Sequence, residues 1–123
     1  MSKSGEIIKG LIKGLNFLSE TDDVWTLFLP YARRTGPVTS KSMAELTGLE
    51  FYSCVDFADF FNHAIKTQSQ SRQYAELYEG LVELLGQRKV FKMLNSPNNY
   101  EYYVVGIDFE NNLVGCHVTS VET

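Results

Sequence analysis

The chain has 123 residues, 44% of them apolar and 13% aromatic, which predicts one folded domain with a single core over residues 1–123. The formal net charge of -4 and the pI near 5.1 argue against direct nucleic-acid binding, because phosphate recognition requires clustered Lys and Arg. The sequence shows no signal peptide and no apolar run long enough to cross a membrane, so we expect a cytoplasmic protein without membrane contact.

The first third of the chain predicts a helix and a strand. Apolar side chains recur at helical spacing over residues 5–16, and Ser4 precedes them as the candidate N-cap. Residues 24–29 are rich in Val, Trp, Thr, Leu and Phe, and they predict a strand that ends before a proline. Regular alternation would place Trp25 and Phe28 on opposite faces of this strand.

An acidic segment connects these two elements. Residues 17–23 include Glu20, Asp22 and Asp23, which supply three carboxylates within four positions. Such a cluster is typical of a solvated loop or a helix start, and the fixed ligand pattern and glycine of a calcium loop are missing. The functional alternative is contact with a positively charged site on a partner protein.

The next stretch predicts a loop, a short helix and a second strand. The loop covers residues 31–37 and contains the Arg-Arg pair of the chain. A helix over residues 40–47 follows, with Thr39 as its N-cap and Gly48 as its left-handed stop. Residues 51–55 then predict a strand.

Two further helices complete the helical part of the sequence. Asp56 is the candidate N-cap of an aromatic-rich helix over residues 57–65, on which His63 is expected to be exposed. The longest predicted helix covers residues 71–86 and ends at Gly86. The aromatic stripe of the first of these helices is typical of a core rather than of a platform for nucleic-acid bases.

The last third predicts three strands, over residues 90–94, 100–109 and 113–121, joined as an antiparallel meander. Since the helices come from the first two thirds, we expect an α+β fold in which helices cover the sheet. The final strand runs almost to the last residue, so Glu122, Thr123 and the terminal carboxylate should be held in a definite place as a cluster of oxygen ligands.

Motifs for catalysis or metal binding are missing from the sequence. It has no phosphate-binding glycine loop, no zinc spacing and no Gly-x-Ser-x-Gly, so we expect neither an enzyme nor a cofactor. Cys54 and Cys116 lie in apolar, strand-like runs and are typical of buried reduced thiols. A hydrolase or ligand-binding protein that uses Cys116 or His117 stays open as an alternative.

Eight short stretches, in one order and spanning nearly the whole chain, carry a family resemblance. They are LNFLSE at 15–20, WTLFL at 25–29, GPVT at 36–39, TG at 47–48, VDFADFF at 55–61, YVVG at 103–106, NLVG at 112–115 and VET at 121–123. Together they resemble the nuclease A inhibitors, small bacterial proteins that block a sugar-nonspecific DNA/RNA endonuclease.

The resemblance implies an α/β/α sandwich with a largely antiparallel sheet. We expect the protein to be monomeric when free. It also implies that Glu20 and the C-terminal Thr123 enter the active site of a metal-dependent nuclease and approach its metal ion. We expect Glu122, Asp22 and Asp23 to contribute to the same partner-binding surface. The protein would then hold no metal of its own, since the ion belongs to the nuclease.

The sequence departs from the family pattern at one place. The family uses a tryptophan between the two later helices, and residues 65–74 of this chain contain none. Tyr74 or Tyr78 is a candidate replacement for that contact. The departure also keeps a second function open, namely a non-catalytic protein-interaction module of the same fold with a different partner.

Overall fold

The computed structural model describes residues 3–30 and 37–123, and its helices and strands agree in kind with most of the predicted elements. Residues 31–36 of the predicted loop lie outside the described residues. The elements in chain order are α1 (Lys3–Ile12), β1 (Asn16–Leu18), β2 (Asp22–Val24), β3 (Thr26–Phe28), α2 (Ser40–Thr47), β4 (Glu50–Val55), α3 (Phe57–Thr67), α4 (Ser71–Leu84), β5 (Gly86–Ser96), β6 (Asn99–Ile107) and β7 (Leu113–Val121).

The main sheet is fully antiparallel and has five strands in the order β3-β7-β6-β5-β4. Its β5, β6 and β7 form the meander that the sequence predicts, and β7 lies between β6 and β3. Strands β1 and β2 form a separate two-stranded hairpin. Within the described ranges, the helices are too short or too polar for any one of them to span a lipid bilayer.

Alternating side chains of the sheet pack into two cores. On one face, Val104, Val114 and Cys116 pack with residues of α1, α3 and α4. On the other face, Val105 and Leu113 pack with apolar residues that include Met43 of α2. The fold is therefore α+β, and the helices on both faces of the sheet make it the α/β/α sandwich that the resemblance implies.

Trp25 marks the largest difference from the predicted strands. The single strand predicted over residues 24–29 is two strands, because β2 pairs with β1 whereas β3 pairs with β7. Trp25 lies between them, buried, and its Nε1 donates a 3.0 Å hydrogen bond to the hydroxyl of Tyr74. Trp25 packs in the core beneath α4 and Phe28 in the opposite core, as the alternation predicts.

The predicted boundaries of α1 and α4 are wrong, and α1 ends at Ile12 rather than at residue 16. Ser4 lies inside α1 rather than at its cap, and its hydroxyl donates a 2.6 Å hydrogen bond to Asp108 in the β6–β7 turn. Helix α4 ends at Leu84, and Gly86 is the first residue of β5 instead of the helix stop. The predicted caps of α2 are confirmed, because Thr39 accepts a hydrogen bond from Ser42 N–H and Gly48 adopts a left-handed conformation.

The close approach of β7 and β6 yields a stability prediction. A Cβ atom at Gly115 would lie 1.9 Å from the carbonyl oxygen of Val104, so Gly115→Ala requires the backbone of the central strands to move. We expect this change to lower the free energy of unfolding by about 3 kcal/mol, the upper end of typical overpacking costs. Chemical denaturation monitored by circular dichroism measures the difference.

Gly10→Ala is the matched control, because a Cβ at this position on α1 meets no heavy atom within 4 Å. Alanine is the better helix former, so the control should be neutral or stabilising by about 0.5–1 kcal/mol. Equal losses in the two variants would contradict the packing explanation.

Candidate partner-binding site

Glu20 and Thr123 meet at one end of the sheet. The hydroxyl of Thr123 donates a 2.5 Å hydrogen bond to Oε1 of Glu20, although the two residues are 103 positions apart in sequence. Both residues are exposed. Among the described residues, Oε2 of Glu20 receives no hydrogen bond, so the pair presents a carboxylate and a hydroxyl oxygen to solvent. We call these two residues the Glu20–Thr123 pair.

Backbone hydrogen bonds hold this pair in place. The turn of the β1–β2 hairpin binds the end of β7 twice: Glu20 N–H donates to the carbonyl of Val121 at 3.2 Å, and Val121 N–H donates to Ser19 Oγ at 2.9 Å. One residue further along, Glu122 N–H donates to the carbonyl of Asn98 at 2.8 Å. The end of the chain is therefore ordered, as the strand pattern predicts.

Glu122 points away from the pair and into a polar network. Its carboxylate accepts hydrogen bonds from Lys92 Nζ at 2.6 Å, from Ser120 Oγ at 2.8 Å and from the Tyr102 hydroxyl at 3.2 Å. Lys92 is mostly buried, with 14% of its side chain exposed, whereas Glu122 keeps 38%. Partner contact by Glu122 stays a prediction, and the network gives this residue a structural task within the fold.

This network shifts the titration of both charged groups. Burial acts to raise the pKa of Glu122, but the hydrogen bonds from Lys92 and Ser120 and the lysine charge outweigh it, so the pKa lies below its ordinary value. Burial likewise acts to lower the pKa of Lys92, and the Glu122 carboxylate outweighs it, so that pKa is raised. Each group stabilises the charged form of the other.

Asp22 and Asp23 lie on β2, where they pair across the hairpin with Leu18 and Phe17, respectively. Asp22 is exposed, while Asp23 is half-buried and accepts a 2.5 Å hydrogen bond from the Thr21 hydroxyl. The acidic connection predicted over residues 17–23 is thus a hairpin, and this part of the prediction is wrong. A role for these two carboxylates in partner binding stays a prediction.

A groove of about 660 Å³ adjoins the Glu20–Thr123 pair. It runs between the β1–β2 hairpin, α3 and the ends of β6 and β7. Apolar groups line its interior, among them Phe17, Phe60 and Tyr102, and exposed polar groups border it, among them Asp59 and His63. The pair and the groove form one continuous surface with an excess of carboxylates.

The connection between α3 and α4 holds the β1–β2 hairpin through two glutamine side chains, of which Gln68 also lines the groove. Gln68 accepts a hydrogen bond from Leu18 N–H at 2.8 Å and donates one to the Leu18 carbonyl at 3.0 Å. Gln70 accepts from Asn16 N–H at 2.8 Å and donates to the Gly14 carbonyl at 2.8 Å. This glutamine pair binds the open edge of β1 as a neighbouring strand would, and so it fixes the hairpin that carries Glu20.

Tyr74 does not serve as the predicted replacement for a surface tryptophan. Its side chain is fully buried, its hydroxyl donates a 2.6 Å hydrogen bond to the Asn16 carbonyl, and burial raises its pKa to about 12. Tyr78 is half-buried and packs against the rings of Phe57 and Phe61. Neither ring is a fully exposed aromatic group like the surface tryptophan that it was predicted to replace.

The residues suggested for a catalytic centre are held apart. Cys116 is fully buried in the core beneath α1, α3 and α4, where burial raises the pKa of its thiol. His117 is the next residue of β7 and packs on the opposite face, against Tyr103 and Phe28, with its Nδ1 2.6 Å from Glu101. Neighbouring strand residues point to opposite faces, so these two form no nucleophile–base pair.

Sequence reasoning missed the residues that position the site. Lys92, Gln68 and Gln70 show no motif, and their partners lie far away in sequence. Ser19 lies in the family stretch at 15–20, but the stretch does not reveal its bond to Val121. The one usable signal is the two-residue spacing of the glutamines, which matches the period of a strand. Within residues 3–30 and 37–123, no group of three or more His, Cys, Asp or Glu side chains is arranged to hold a metal ion.

The Lys92–Glu122 bridge predicts a pH dependence. Because the folded pKa of Glu122 is lowered, its contribution to stability is complete above the ordinary value of 4.5 and is lost as pH falls through the folded value. The folded pKa of Lys92 is raised, so the contribution of Lys92 to stability is complete below pH 10.5 and is lost as pH rises through the folded pKa. The stability difference between wild type and Glu122→Gln should therefore be largest between these limits and shrink outside them.

Urea denaturation over a series of pH values measures this difference. Glu76→Gln is the matched control, because Glu76 pairs with Arg72 on the exposed surface of α4, where solvent screens the interaction. A pH profile for Glu122→Gln that resembles the control would contradict the assigned network.

The two cysteines should differ in reactivity. Cys54 is exposed on β4 and Cys116 is fully buried, so a thiol-specific chromogenic reagent should modify one cysteine per folded chain at neutral pH. Both should react after unfolding in guanidinium chloride. Rapid modification of the folded Cys54→Ser variant would contradict the placement of Cys116.

Comparison with known proteins identifies the family of the chain. No curated protein matches the chain by sequence. One protein-family model, described as nuclease A inhibitor-like protein, matches residues 4–123 and thus includes Glu20, Thr123 and every described element except the first residue of α1. With this match over nearly its whole length, the chain belongs to the nuclease A inhibitor-like family.

Proposed function

We propose that the protein inhibits a metal-dependent, sugar-nonspecific nuclease by inserting the Glu20–Thr123 pair into the active site of that enzyme. The observation that carries this proposal is the 2.5 Å hydrogen bond between two exposed residues from opposite ends of the chain. Membership of an inhibitor family supports the general role, and the meeting of these residues supports the contact mode.

The chemistry of the pair suits a metal ion in a nuclease. Mg²⁺ prefers carboxylate, hydroxyl and water oxygens, the same kind of ligand that a phosphodiester supplies. Oε2 of Glu20 makes no hydrogen bond within the described residues and is available as a negatively charged ligand. Since Ser19 and Val121 already hold the turn and the strand end together, the pair needs little ordering when it binds.

The charge of the surrounding surface suits a basic cleft. Glu20 and Asp59 are exposed carboxylates that line the groove, and Asp22 is exposed two positions after Glu20, in a protein whose net charge is -4. A nuclease must attract the phosphates of its substrate, so its cleft should attract this surface as well. Charge of this kind speeds association and makes it sensitive to salt.

A second candidate function is a protein-interaction module with a partner other than a nuclease. The α3–α4 connection favours it, because this segment has no tryptophan and uses Gln68 and Gln70 for internal hydrogen bonds. A purified Mg²⁺-loaded nonspecific endonuclease from the same genome separates the two functions. Absence of both binding and inhibition at micromolar protein would favour the interaction module.

The inhibitor function makes a prediction for two conservative variants. Glu20→Gln removes the charge and Thr123→Val removes the hydroxyl, so each should raise the inhibition constant about thirtyfold, as expected of a contact at the centre of an interface. Inhibition of plasmid cleavage in the presence of Mg²⁺ measures the effect. Both changes lie on the surface, and the thermal midpoint should stay within about 2 °C of wild type.

Glu110→Gln is the matched control, since Glu110 is an exposed carboxylate in the β6–β7 turn, at the other end of the sheet. It should inhibit as wild type does. Full inhibition by Glu20→Gln and Thr123→Val would contradict the contact mode while leaving the inhibitor role standing.

A further inference from the structure

A β-bulge interrupts the outer strand of the sheet beside the proposed site. In the pairing of β4 with β5, Phe51 lies opposite Met93 and Ser53 opposite Lys92, so Tyr52 is the extra residue. A bulge redirects the side chain that it inserts and stops regular pairing along that edge. Here it places Tyr52 on the same face as Lys92.

Tyr52 and Tyr100 form a small aromatic surface, which we call the tyrosine patch. Their rings meet edge to face with centroids 4.8 Å apart. Lys92 Nζ lies 4.3 Å from the Tyr100 ring centroid and 5.2 Å from that of Tyr52. These contacts fix both rings before any partner arrives, which lowers the entropy that binding would cost.

The tyrosine patch is outside both hydrophobic cores. Tyr52 is 53% exposed, and Tyr100 is partly exposed. Neither ring packs in the core beneath α1, α3 and α4 or in the core beneath α2. A large, rigid and exposed aromatic group is the residue type that most often anchors a protein–protein interface.

The patch is continuous with the proposed site. Tyr100 lies directly opposite Ser120 in the pairing of β6 with β7. Lys92, which contacts both rings of the patch, also binds the Glu122 carboxylate, and Thr123 follows Glu122 in the chain. Ser120 itself is buried, so the partly exposed Glu122 is the residue that connects the Glu20–Thr123 pair with the tyrosine patch.

The local charge indicates the chemistry of the group that would contact Tyr52. Glu122 neutralises Lys92, Glu50 is exposed two positions before Tyr52 in β4, and the net charge of the chain is -4. The negative face of a tyrosine ring attracts cations, and a guanidinium group also stacks on it. An arginine or lysine side chain fits this combination, whereas an acidic group does not.

We propose that the tyrosine patch is a second contact with the nuclease, at which Tyr52 receives a cationic side chain from the rim of the enzyme's substrate cleft. This proposal rests on the proposed inhibitor function. The bulge argues against the competing occupant, a second copy paired along the edge of β4, because it disrupts the row of backbone groups that such pairing needs.

Isothermal titration of the Mg²⁺-loaded nonspecific endonuclease from the same genome tests the patch. Tyr52→Ala should raise the dissociation constant about tenfold. The dissociation constant of Tyr52→Phe, which keeps the ring, should stay within about twofold of the wild-type value. Phe109→Ala is the matched control, because Phe109 is 84% exposed in the β6–β7 turn, at the opposite end of the sheet. Its affinity should equal that of wild type.

Hydroxyl-radical footprinting of the wild-type complex gives a second measurement that does not depend on the folding of a variant. Tyr52 should become protected when the nuclease binds, whereas Phe109 should stay as reactive as in the free protein. Sedimentation of the free protein adds a check on the occupant, since a dimer that Tyr52→Ala abolishes would overturn the nuclease contact in favour of a second copy.

The outcomes separate this proposal from the inhibitor function on which it rests. If Glu20→Gln weakens binding while Tyr52→Ala binds as wild type and Tyr52 stays unprotected, the patch proposal is wrong and the inhibitor function stands. If the wild-type protein does not bind the nuclease at all, both are wrong. Loss of affinity in Tyr52→Ala together with protection of Tyr52 supports both.

Discussion

Two hydrogen bonds between the β1–β2 turn and the end of β7 fix the position of the Glu20–Thr123 pair on the protein surface. Through Ser19, Glu20 and Val121 they join segments that are 102 positions apart. Residues at the end of a strand fray unless they are bonded, and here the end of β7 pairs with β6 on one side and bonds the hairpin turn on the other. The sheet thus acts as a rigid support, and the Glu20–Thr123 pair is part of its ordered end rather than of a mobile tail.

Much of the fold could be predicted because local pattern and tertiary structure agree over long segments. The strand pattern of β7, the cap of α2 at Thr39 and the aromatic face of α3 all match the structure. The hairpin was missed because Asp22 and Asp23 are poor strand formers, and β2 exists only through its pairing with β1. The break at Trp25 leaves no local signal, because the change of pairing partner from β1 to β7 is a tertiary effect.

Some features of the candidate site could be predicted from the sequence and others could not. Alternation along β7 already implies that Cys116 and His117 face different layers, and the structure shows the two separate environments. The meeting of Glu20 with Thr123 follows from no spacing rule, since it depends on where the hairpin docks. The Lys92 network and the bulge at Tyr52 depend on strand register, which a single sequence does not reveal before the pairing is known.

The glutamine pair has a consequence for how the protein behaves in a crowded solution. An open strand edge can recruit a strand from another molecule, which is the first step of edge-to-edge aggregation. Gln68 and Gln70 bond the N–H groups of Asn16 and Leu18 and the Leu18 carbonyl. The Tyr74 hydroxyl bonds the Asn16 carbonyl, so the β1 edge offers no template to a neighbour. For the proposed inhibitor, this means that the hairpin can stay exposed to a partner while its β1 edge is already bonded.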